Sequence, residues 1–218
     1  MSRQSKIRDL SSLYEFLVSD RADIFILFAD LCGSTQFKQN CNSQGMPELT
    51  WIGRQLLFLQ RVADLVRKHQ GVVVKTVGDE IVAFFRPPTT AEGVLKCAIE
   101  IIQSLDNFLP FQGESQIETK VSIDFGKTYN GTVMEKMVPY DPIGLPVDRC
   151  ARLNSITGNN EITFSQDFLT AMTTDTTEVQ LRAKYGFETR QEDLKGIGLT
   201  IIHSMPASVM APPNTGSI

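Results

Sequence analysis

The sequence predicts a single α+β domain, and three observations support this fold class. Short apolar runs of strand length alternate with longer segments in which apolar residues recur at helical spacing. The 218 residues are 42% hydrophobic and 21% charged, which is the composition of a globular protein with one sizeable core. No internal repeat and no linker of changed composition divides the chain. A second domain is therefore not expected.

The first predicted elements alternate between helix and strand. Residues 7–19 carry apolar side chains at helical spacing and predict an N-terminal helix, and residues 23–31 (DIFILFADL) predict a buried strand. A polar loop is predicted over 39–49, followed by an amphipathic helix over 50–71 that ends at Gly71. The predicted apolar face of this helix comprises Ile52, Leu56, Leu59, Ala63 and Val66.

A β-hairpin is predicted next. Two strands, 72–77 and 80–86, are joined at Gly78-Asp79, a glycine and an acidic residue between two apolar runs. The remaining predicted elements are a Thr-capped amphipathic helix over 89–109, a strand over 117–129, a strand or arm over 131–138, a helix over 145–158, a strand over 161–165 with a short helix after it, and a loop and strand over 194–205.

The element order β-α-β-β-α-β is the connectivity of a ferredoxin-like sheet with helices on one face, here elaborated by additional C-terminal α/β elements. We expect one domain over 23–204, preceded by a helical extension over 1–22. The last residues, 205–218, are rich in Pro, Ser and Gly and predict a disordered tail.

Composition argues against several classes of function. The net charge of −4, without a cluster of Lys and Arg, gives no reason to expect nucleic-acid binding. Four widely separated cysteines and two histidines suggest neither a zinc site nor a disulfide framework. No apolar stretch approaches the ~18 residues of a membrane helix, and the N-terminus does not resemble a secretion signal. We therefore expect a cytoplasmic protein with reduced thiols and no membrane partner.

Two carboxylates interrupt the apolar pattern where strands end. Asp30 ends the first predicted strand and Asp79 lies at the hairpin turn, and the β-α-β-β order can bring both to one edge of the sheet. Neighbouring carboxylates repel unless a cation lies between them, and Mg²⁺ or Mn²⁺ prefers such oxygen ligands. The alternative is that each aspartate serves only its own turn, and spacing alone does not decide between the two interpretations.

Small residues follow the first of these aspartates. Gly33, Ser34 and Thr35 continue the strand into a turn whose backbone amides can approach a polyphosphate as a helix begins. A strand-end aspartate before such a turn favours a site for a metal-bound phosphate, although many strand-to-helix turns use small residues.

From about residue 23 to about 204, the chain resembles the catalytic domain of the class III nucleotidyl cyclases. The resemblance rests on four motifs in the family's order: FADLCGST at 28–35, VVKTVGDEIVAFF at 73–85, YDPIGLPVDRCARLNS at 140–155 and EDLKGIG at 192–198. It implies an antiparallel homodimer whose two active sites lie at the interface. There a nucleoside triphosphate is converted to a 3′,5′-cyclic nucleotide and pyrophosphate with two Mg²⁺ or Mn²⁺ ions in each site.

The resemblance also implies roles for single residues on the metal side of the site. Asp30 and Asp79 match the family's two metal-binding aspartates, and Leu31 supplies a backbone carbonyl to one ion. The triphosphate-binding turn matches Gly33, Ser34 and Thr35.

Further matched positions concern the base and the reacting phosphates. Lys75 and Asp141 match the pair that reads the base edge, and Arg152 matches the arginine that stabilises charge in the transition state. Lys195 matches the lysine that holds the terminal phosphates, and Lys136 lies near a basic position on an arm.

Asp148 departs from the family pattern, in which an asparagine helps to orient the ribose. An acid can accept a hydrogen bond from a ribose hydroxyl but cannot donate one. Because Asp148 precedes Arg152 by one helical turn, an ion pair within the helix is the alternative interpretation. Glu80 has no counterpart among the family's functional residues.

The sequence leaves open which base the substrate carries. A donor at Lys75 and an acceptor at Asp141 suit adenine and cytosine, disfavour guanine and leave no amine partner in uracil. The absence of an attached sensor favours the stand-alone bacterial pyrimidine cyclases that make cyclic CMP or cyclic UMP in antiphage signalling. Side chains that could occupy the space of a purine, or merely pack, are Trp51, Arg54 and Tyr140.

An adenylate cyclase is the first alternative to this interpretation. A nucleotide-binding sensor without turnover is the second, but both metal-binding aspartates, the arginine and the lysine are present. A plain interaction module would leave these charged residues unexplained.

Overall fold

A computed structural model of the chain describes residues 21–106, 117–129, 141–174 and 176–206. The predicted N-terminal helix, the predicted arm, most of the predicted tail and the candidate residues Lys136 and Tyr140 lie outside these ranges.

The described residues form seven strands and six helices. In chain order they are β1 (Arg21–Leu31), α1 (Ser34–Ser43), α2 (Glu48–Lys68), β2 (Val72–Val77), β3 (Glu80–Phe85), α3 (Ala91–Asp106), β4 (Thr119–Tyr129), α4 (Leu145–Ile156), β5 (Glu161–Ser165), α5 (Gln166–Met172), α6 (Glu178–Tyr185), β6 (Glu188–Leu194) and β7 (Gly198–Pro206). None of these helices is long and apolar enough to cross a membrane.

The seven strands form one mixed sheet in the order β2-β3-β1-β4-β5-β7-β6. Its first four strands pair antiparallel in the ferredoxin-like order, which confirms the predicted α+β core. Strand β5 joins β4 in parallel, and β7 and β6 extend the sheet antiparallel beyond it. These last three strands and their helices are the predicted C-terminal elaboration.

Strand β1 is apolar on both faces, and both faces are covered. Its residues Phe25, Leu27 and Ala29 belong to the main core, which also holds buried side chains of α2, α3 and α5. Ile24, Ile26 and Phe28 point to the other face, where they cluster with α4. The two helices of the ferredoxin-like core, α2 and α3, lie on one face as expected, and α4, one of the additional C-terminal elements, covers the other face. An unbroken apolar run is typical of a strand covered on both sides.

The predicted apolar face of α2 was correct in part, since Val66 is buried and Leu59 and Ala63 pack against the core. The buried side chains of this helix are Arg54, Phe58, Val62, Leu65 and Val66, whereas the predicted Leu56 is 59% exposed. The guanidinium of Arg54 lies 4.7 Å from the centre of the Phe37 ring, so an arginine occupies a place in the inner face. The predicted face did not include this arginine, and the buried face is turned by about one residue relative to the prediction.

One element boundary and two whole elements also differ from the prediction. The predicted loop over 39–49 is helical up to Ser43, where α1 ends. Helix α6 and strand β6 were not predicted. Strand β6 has the polar sequence ETRQEDL and forms the edge of the sheet, so it lacks the apolar alternation of a half-buried strand. The hairpin of β2 and β3 was predicted correctly, with Gly78 at a φ of 65° in its turn.

Candidate active site

The ends of β1 and β3 bring the two candidate metal-binding aspartates to one cavity. Asp30 pairs across the sheet with Glu80, the first residue of β3, so the hairpin turn at Asp79 lies beside the end of β1. The cavity has a volume of about 520 Å³. The candidate residues that line it are Asp30, Leu31, Gly33, Ser34, Thr35 and Asp79. A second cavity, of about 570 Å³ and bordered by α3, α5 and α6, holds none of the candidate residues.

Lys120 is a cavity residue that the sequence analysis missed. It lies on β4 directly opposite Asp30, and its Nζ is 3.0 Å from Asp30 Oδ2. Both side chains are less than one quarter exposed, which strengthens their attraction. A signal for this residue exists, because Lys120, Ser122 and Asp124 alternate with apolar residues in β4 and therefore face α4 together.

Glu80 also belongs to the electrostatic surroundings of Asp30. Its carboxylate accepts a 2.8 Å hydrogen bond from Nδ2 of Asn154, a buried residue of α4. Burial raises the pKa of Glu80, and the nearby charge of Asp30 raises it further. The first residue of β3 is therefore connected to both the cavity and the helix.

The glycine at the cavity mouth has a backbone conformation that explains its identity. Gly33 precedes α1 with a φ of 67°, in the left-handed region that other residues adopt at a cost. Among the described residues no side chain caps α1 at this end, and Ser34 and Thr35 begin its first turn. The unpaired N–H groups of that turn and the positive end of the helix dipole suit an anionic group.

Lys75 and Asp141, which are 66 positions apart in the chain, lie together in the structure. The Lys75 Nζ is 2.9 Å from Asp141 Oδ2 and 3.1 Å from Asp141 Oδ1. Both side chains are about 40% exposed, so solvent screens the pair. The two residues expected to act on one base are therefore neighbours on the surface.

The other candidate residues that the structure describes do not line the cavity. Asp148 and Arg152 are exposed on α4, and no ion pair joins them among the described residues. Lys195 is exposed in the turn between β6 and β7. One chain thus presents a cavity lined by two aspartates and the turn at Gly33, and elsewhere presents Asp148, Arg152 and Lys195.

Helix α4 is held against the sheet by polar contacts as well as apolar ones. Arg149 donates to the buried Asp124 of β4 and also to Asp167. Burial by itself lowers the pKa of Arg149, but the hydrogen bonds and charges of these two carboxylates raise it overall. The hydroxyl of Ser122 donates to the backbone oxygen of Cys150 at 2.9 Å. These contacts fix the orientation from which Asp148 and Arg152 project.

Comparison with known proteins agrees with this geometry. The family model described as the adenylate and guanylate cyclase catalytic domain matches residues 18–199. An uncharacterised protein of Mycobacterium tuberculosis is 28% identical over 133 residues, which are 59% of this chain and 23% of that protein. The chain therefore spans about a quarter of the length of the curated relatives it matches.

Solved structures share the fold. The guanylate cyclase domain of RhGC from Catenaria anguillulae in complex with GTP aligns with a TM-score of 0.70 and 15% identity, over 85% of this chain and 96% of that one. The adenylyl cyclase CyaB from P. aeruginosa aligns with a TM-score of 0.68 and 20% identity, over 85% and 94%. The resemblance found in the four motifs is confirmed, and the chain belongs to the adenylate and guanylate cyclase catalytic domain family as a nucleotidyl cyclase domain.

Proposed function

We propose that the protein is a homodimeric cyclase that converts a pyrimidine nucleoside triphosphate, CTP or UTP, to the 3′,5′-cyclic nucleotide and pyrophosphate. One observation carries the homodimeric part of this proposal. The cavity that holds Asp30, Asp79 and the Gly33 turn lacks Arg152 and Lys195, which the same chain exposes elsewhere. A second copy related by a twofold axis can supply them, since each chain then contributes both of its halves.

The oxygen donors of the cavity fit hard divalent cations. Two carboxylates, Asp30 and Asp79, and the Leu31 backbone carbonyl would hold two Mg²⁺ or Mn²⁺ ions. No cluster of three or more His, Cys, Asp or Glu residues suited to a metal occurs in the described part of the chain. Two side-chain carboxylates leave coordination positions open, as in Mg²⁺ sites that are completed by substrate phosphates. When bound, the ions would lower the pKa of the ribose 3′-hydroxyl and offset the triphosphate charge.

The chain's own groups then position the triphosphate for in-line attack by the 3′-oxygen on the α-phosphorus. The amides at Gly33, Ser34 and Thr35 bind phosphate oxygens at the start of α1, and Lys120 contributes a cation from the cavity wall. From the partner copy, Lys195 binds the terminal phosphates as pyrophosphate leaves. Lys136, on an arm outside the described residues, is proposed as a further phosphate contact.

Two residues of α4 act where charge develops and where the ribose lies. The Arg152 guanidinium offsets the growing negative charge on the reacting phosphate, which an always-charged, multidentate donor does well. Asp148 accepts a hydrogen bond from a ribose hydroxyl. Because Asp148 and Arg152 are not paired with each other among the described residues, both remain available to the nucleotide.

The base is read by Lys75 and Asp141. Lys75 can donate to a ring nitrogen or a carbonyl oxygen, and Asp141 can accept from an exocyclic amine. Cytosine presents this pattern, whereas UTP would have to use its ring N–H. The preference for CTP over ATP rests on the resemblance to the bacterial pyrimidine cyclases and not on this pattern. Adenine presents the same pattern as cytosine, so an adenylate cyclase is the second candidate function. Guanine presents the reverse order and is disfavoured.

The product would be a second messenger. A cyclic pyrimidine nucleotide would act in antiphage signalling, as in the bacterial pyrimidine cyclases that the sequence resembles. A domain that binds a nucleotide without turnover is the remaining alternative.

The first test is to incubate the protein with Mn²⁺ and ATP, GTP, CTP or UTP in turn and to identify products by mass spectrometry. We expect cyclic CMP or cyclic UMP, with no product from the Asp79→Ala variant. Cyclic AMP alone would support the second candidate. Nucleotide binding without any cyclic product would support a sensor.

A second test addresses the shared site. We mix chains carrying Asp79→Ala with chains carrying Arg152→Ala, each inactive alone. In a mixed dimer one of the two sites regains both groups, so random pairing should restore about one quarter of the wild-type rate. A mixture that stays inactive would contradict the shared site.

A further inference from the structure

The Glu80–Asn154 hydrogen bond connects two parts of the chain that the proposed dimer places in different active sites. We propose that Glu80 and Asn154 are positioning residues that couple the metal half of the site to the arginine half within each chain. The inference rests on the proposed homodimer. The coupling would pass from one active site to the other.

Glu80 lies at the metal half. It directly follows Asp79 in the chain and pairs with Asp30 across the sheet. It is the first residue of β3, so its backbone also fixes where the hairpin turn ends. Any shift of this residue must therefore move the two aspartates relative to each other.

Asn154 lies at the arginine half. It follows Arg152 by two positions in α4, but it points to the sheet and is only 3% exposed. Its Nδ2 donates to Glu80 Oε2 at 2.8 Å, whereas its buried Oδ1 has no hydrogen-bond partner among the described residues. Glu80 is therefore the described group that fixes the orientation of this side chain.

The bond is suited to transmit a displacement. The Glu80–Asn154 hydrogen bond is partly buried, which reduces competition from water and strengthens the bond. Around it, Leu153 is completely buried and Cys150 packs against β1, so this end of α4 cannot adjust independently of the sheet. Movement at Glu80 would therefore be passed to the backbone that carries Arg152.

Mixed dimers with one intact site allow a direct test. In the mixture described above, the Arg152→Ala chain supplies the metal half of the working site, and the Asp79→Ala chain supplies the arginine half. We add Asn154→Ala to one chain or to the other and measure kcat and KM. A residue that supports only its local element would matter in only one of these chains.

We expect a roughly three- to tenfold loss of kcat in both placements, because one bond serves both halves. Glu80→Ala should give the same two losses, and combining it with Asn154→Ala in one chain should add little. Glu80→Gln, which keeps an acceptor oxygen, should retain most of the activity. Thr189→Val, which removes the hydroxyl's hydrogen bonds with His203 and Arg182 at the far edge of the sheet, is the matched control and should leave kcat unchanged.

Each outcome has one meaning. If Asn154→Ala lowers kcat in only one of the two chains, or in neither, the coupling is overturned. The shared site is still upheld in that case, because the parent mixture is active. A parent mixture without activity overturns both. If Asn154→Ala chains melt well below the wild type, Glu80→Ala and Glu80→Gln carry the comparison, and equal activity of these two variants overturns the coupling.

Discussion

Arg149 and Asp124 form a bidentate ion pair beneath helix α4. The Arg149 Nε lies 2.6 Å from Asp124 Oδ2, and its Nη2 lies 2.8 Å from Asp124 Oδ1. The Asp124 side chain is 0% exposed and the Arg149 side chain is 14% exposed. Asp124 also accepts from the hydroxyl of Ser165 and from the backbone of Phe125. The pair is therefore a fully hydrogen-bonded charge contact between α4 and the centre of the sheet.

Replacing Arg149 with Met should destabilise the fold strongly. The change leaves Asp124 buried without its cation, which typically costs about 3–5 kcal/mol. The free energy of unfolding in urea measures this loss. Turnover measured well below the melting temperature should also fall, because α4 carries Asp148 and Arg152.

The double variant Asp124→Leu with Arg149→Met separates charge from packing. Removing both charges takes away the uncompensated carboxylate, so most of the lost stability should return. If the double variant were as unstable as Arg149→Met alone, the uncompensated charge would not be the cause of the loss.

Replacing Lys120 with Met should change metal binding and substrate use in opposite directions. Without nucleotide, Lys120 occupies Asp30 Oδ2 at 3.0 Å and competes with a cation. Its removal should tighten Mn²⁺ binding about fivefold, the equivalent of ~1 kcal/mol. In turnover, kcat/KM should fall about tenfold or more because a phosphate contact is lost.

Calorimetry with Mn²⁺ alone and steady-state kinetics measure the two effects of the Lys120 change. Lys120→Arg keeps the charge and should resemble the wild type in metal binding. Weaker Mn²⁺ binding by Lys120→Met would contradict the competition between the lysine and the ion.

His203 should make the protein less stable as the pH falls below neutrality. Burial lowers the pKa of His203 from 6.5 to about 4, and the neutral ring fits its contacts with Thr189 and Gln166. Between these two pKa values the unfolded chain binds a proton that the folded chain does not, so stability is complete above pH 6.5 and is lost towards pH 4. The loss at pH 5 should be about 2 kcal/mol.

Urea unfolding at pH 7.5 and at pH 5 checks the sign and the size of this effect. Other groups also change charge between these pH values, so the same two measurements are made on a His203 variant. In His203→Phe, which keeps a ring against Phe164, the difference between the two pH values should shrink by about that amount. An unchanged difference would show that His203 is not responsible.

Local sequence patterns predicted the parts of the site that depend on chain-adjacent geometry. Asp30 and Asp79 could be placed at one edge of the sheet because each lies where a strand ends, and Gly33 stood out because a strand-to-helix turn favours its conformation. Lys120 and Asn154 escaped because their importance arises from residues far away in the chain, Asp30 and Glu80. Such partners are fixed by strand register and by where α4 crosses the sheet.

The errors in the fold have the same origin. Periodicity located α2, but its inner face was assigned correctly only in part, because Arg54 packs inward over an aromatic ring. The position of α4 on the opposite face was implied by the unbroken apolar run of β1, since a strand with one solvent face would alternate. What periodicity could not supply was which helix covers which face, because that choice depends on the connections between distant elements.

Substitutions at Lys75 or Asp141 should affect substrate binding much more than stability. The ion pair between them has a distance of 2.9 Å, but both side chains are about 40% exposed, so its net contribution to folding is about 0–1 kcal/mol. A nucleotide base can therefore separate the two groups at low cost.

The free energy of unfolding of Lys75→Ala and of Asp141→Ala should each lie within ~1 kcal/mol of the wild-type value. Each substitution should raise KM about tenfold or more, because the proposed base contact is lost. Urea unfolding and steady-state kinetics measure both quantities on the same samples. Arg67→Ala, which breaks an exposed ion pair with Asp64 on α2, is the matched control and should change neither quantity appreciably. An unchanged KM in both variants would remove Lys75 and Asp141 from base recognition.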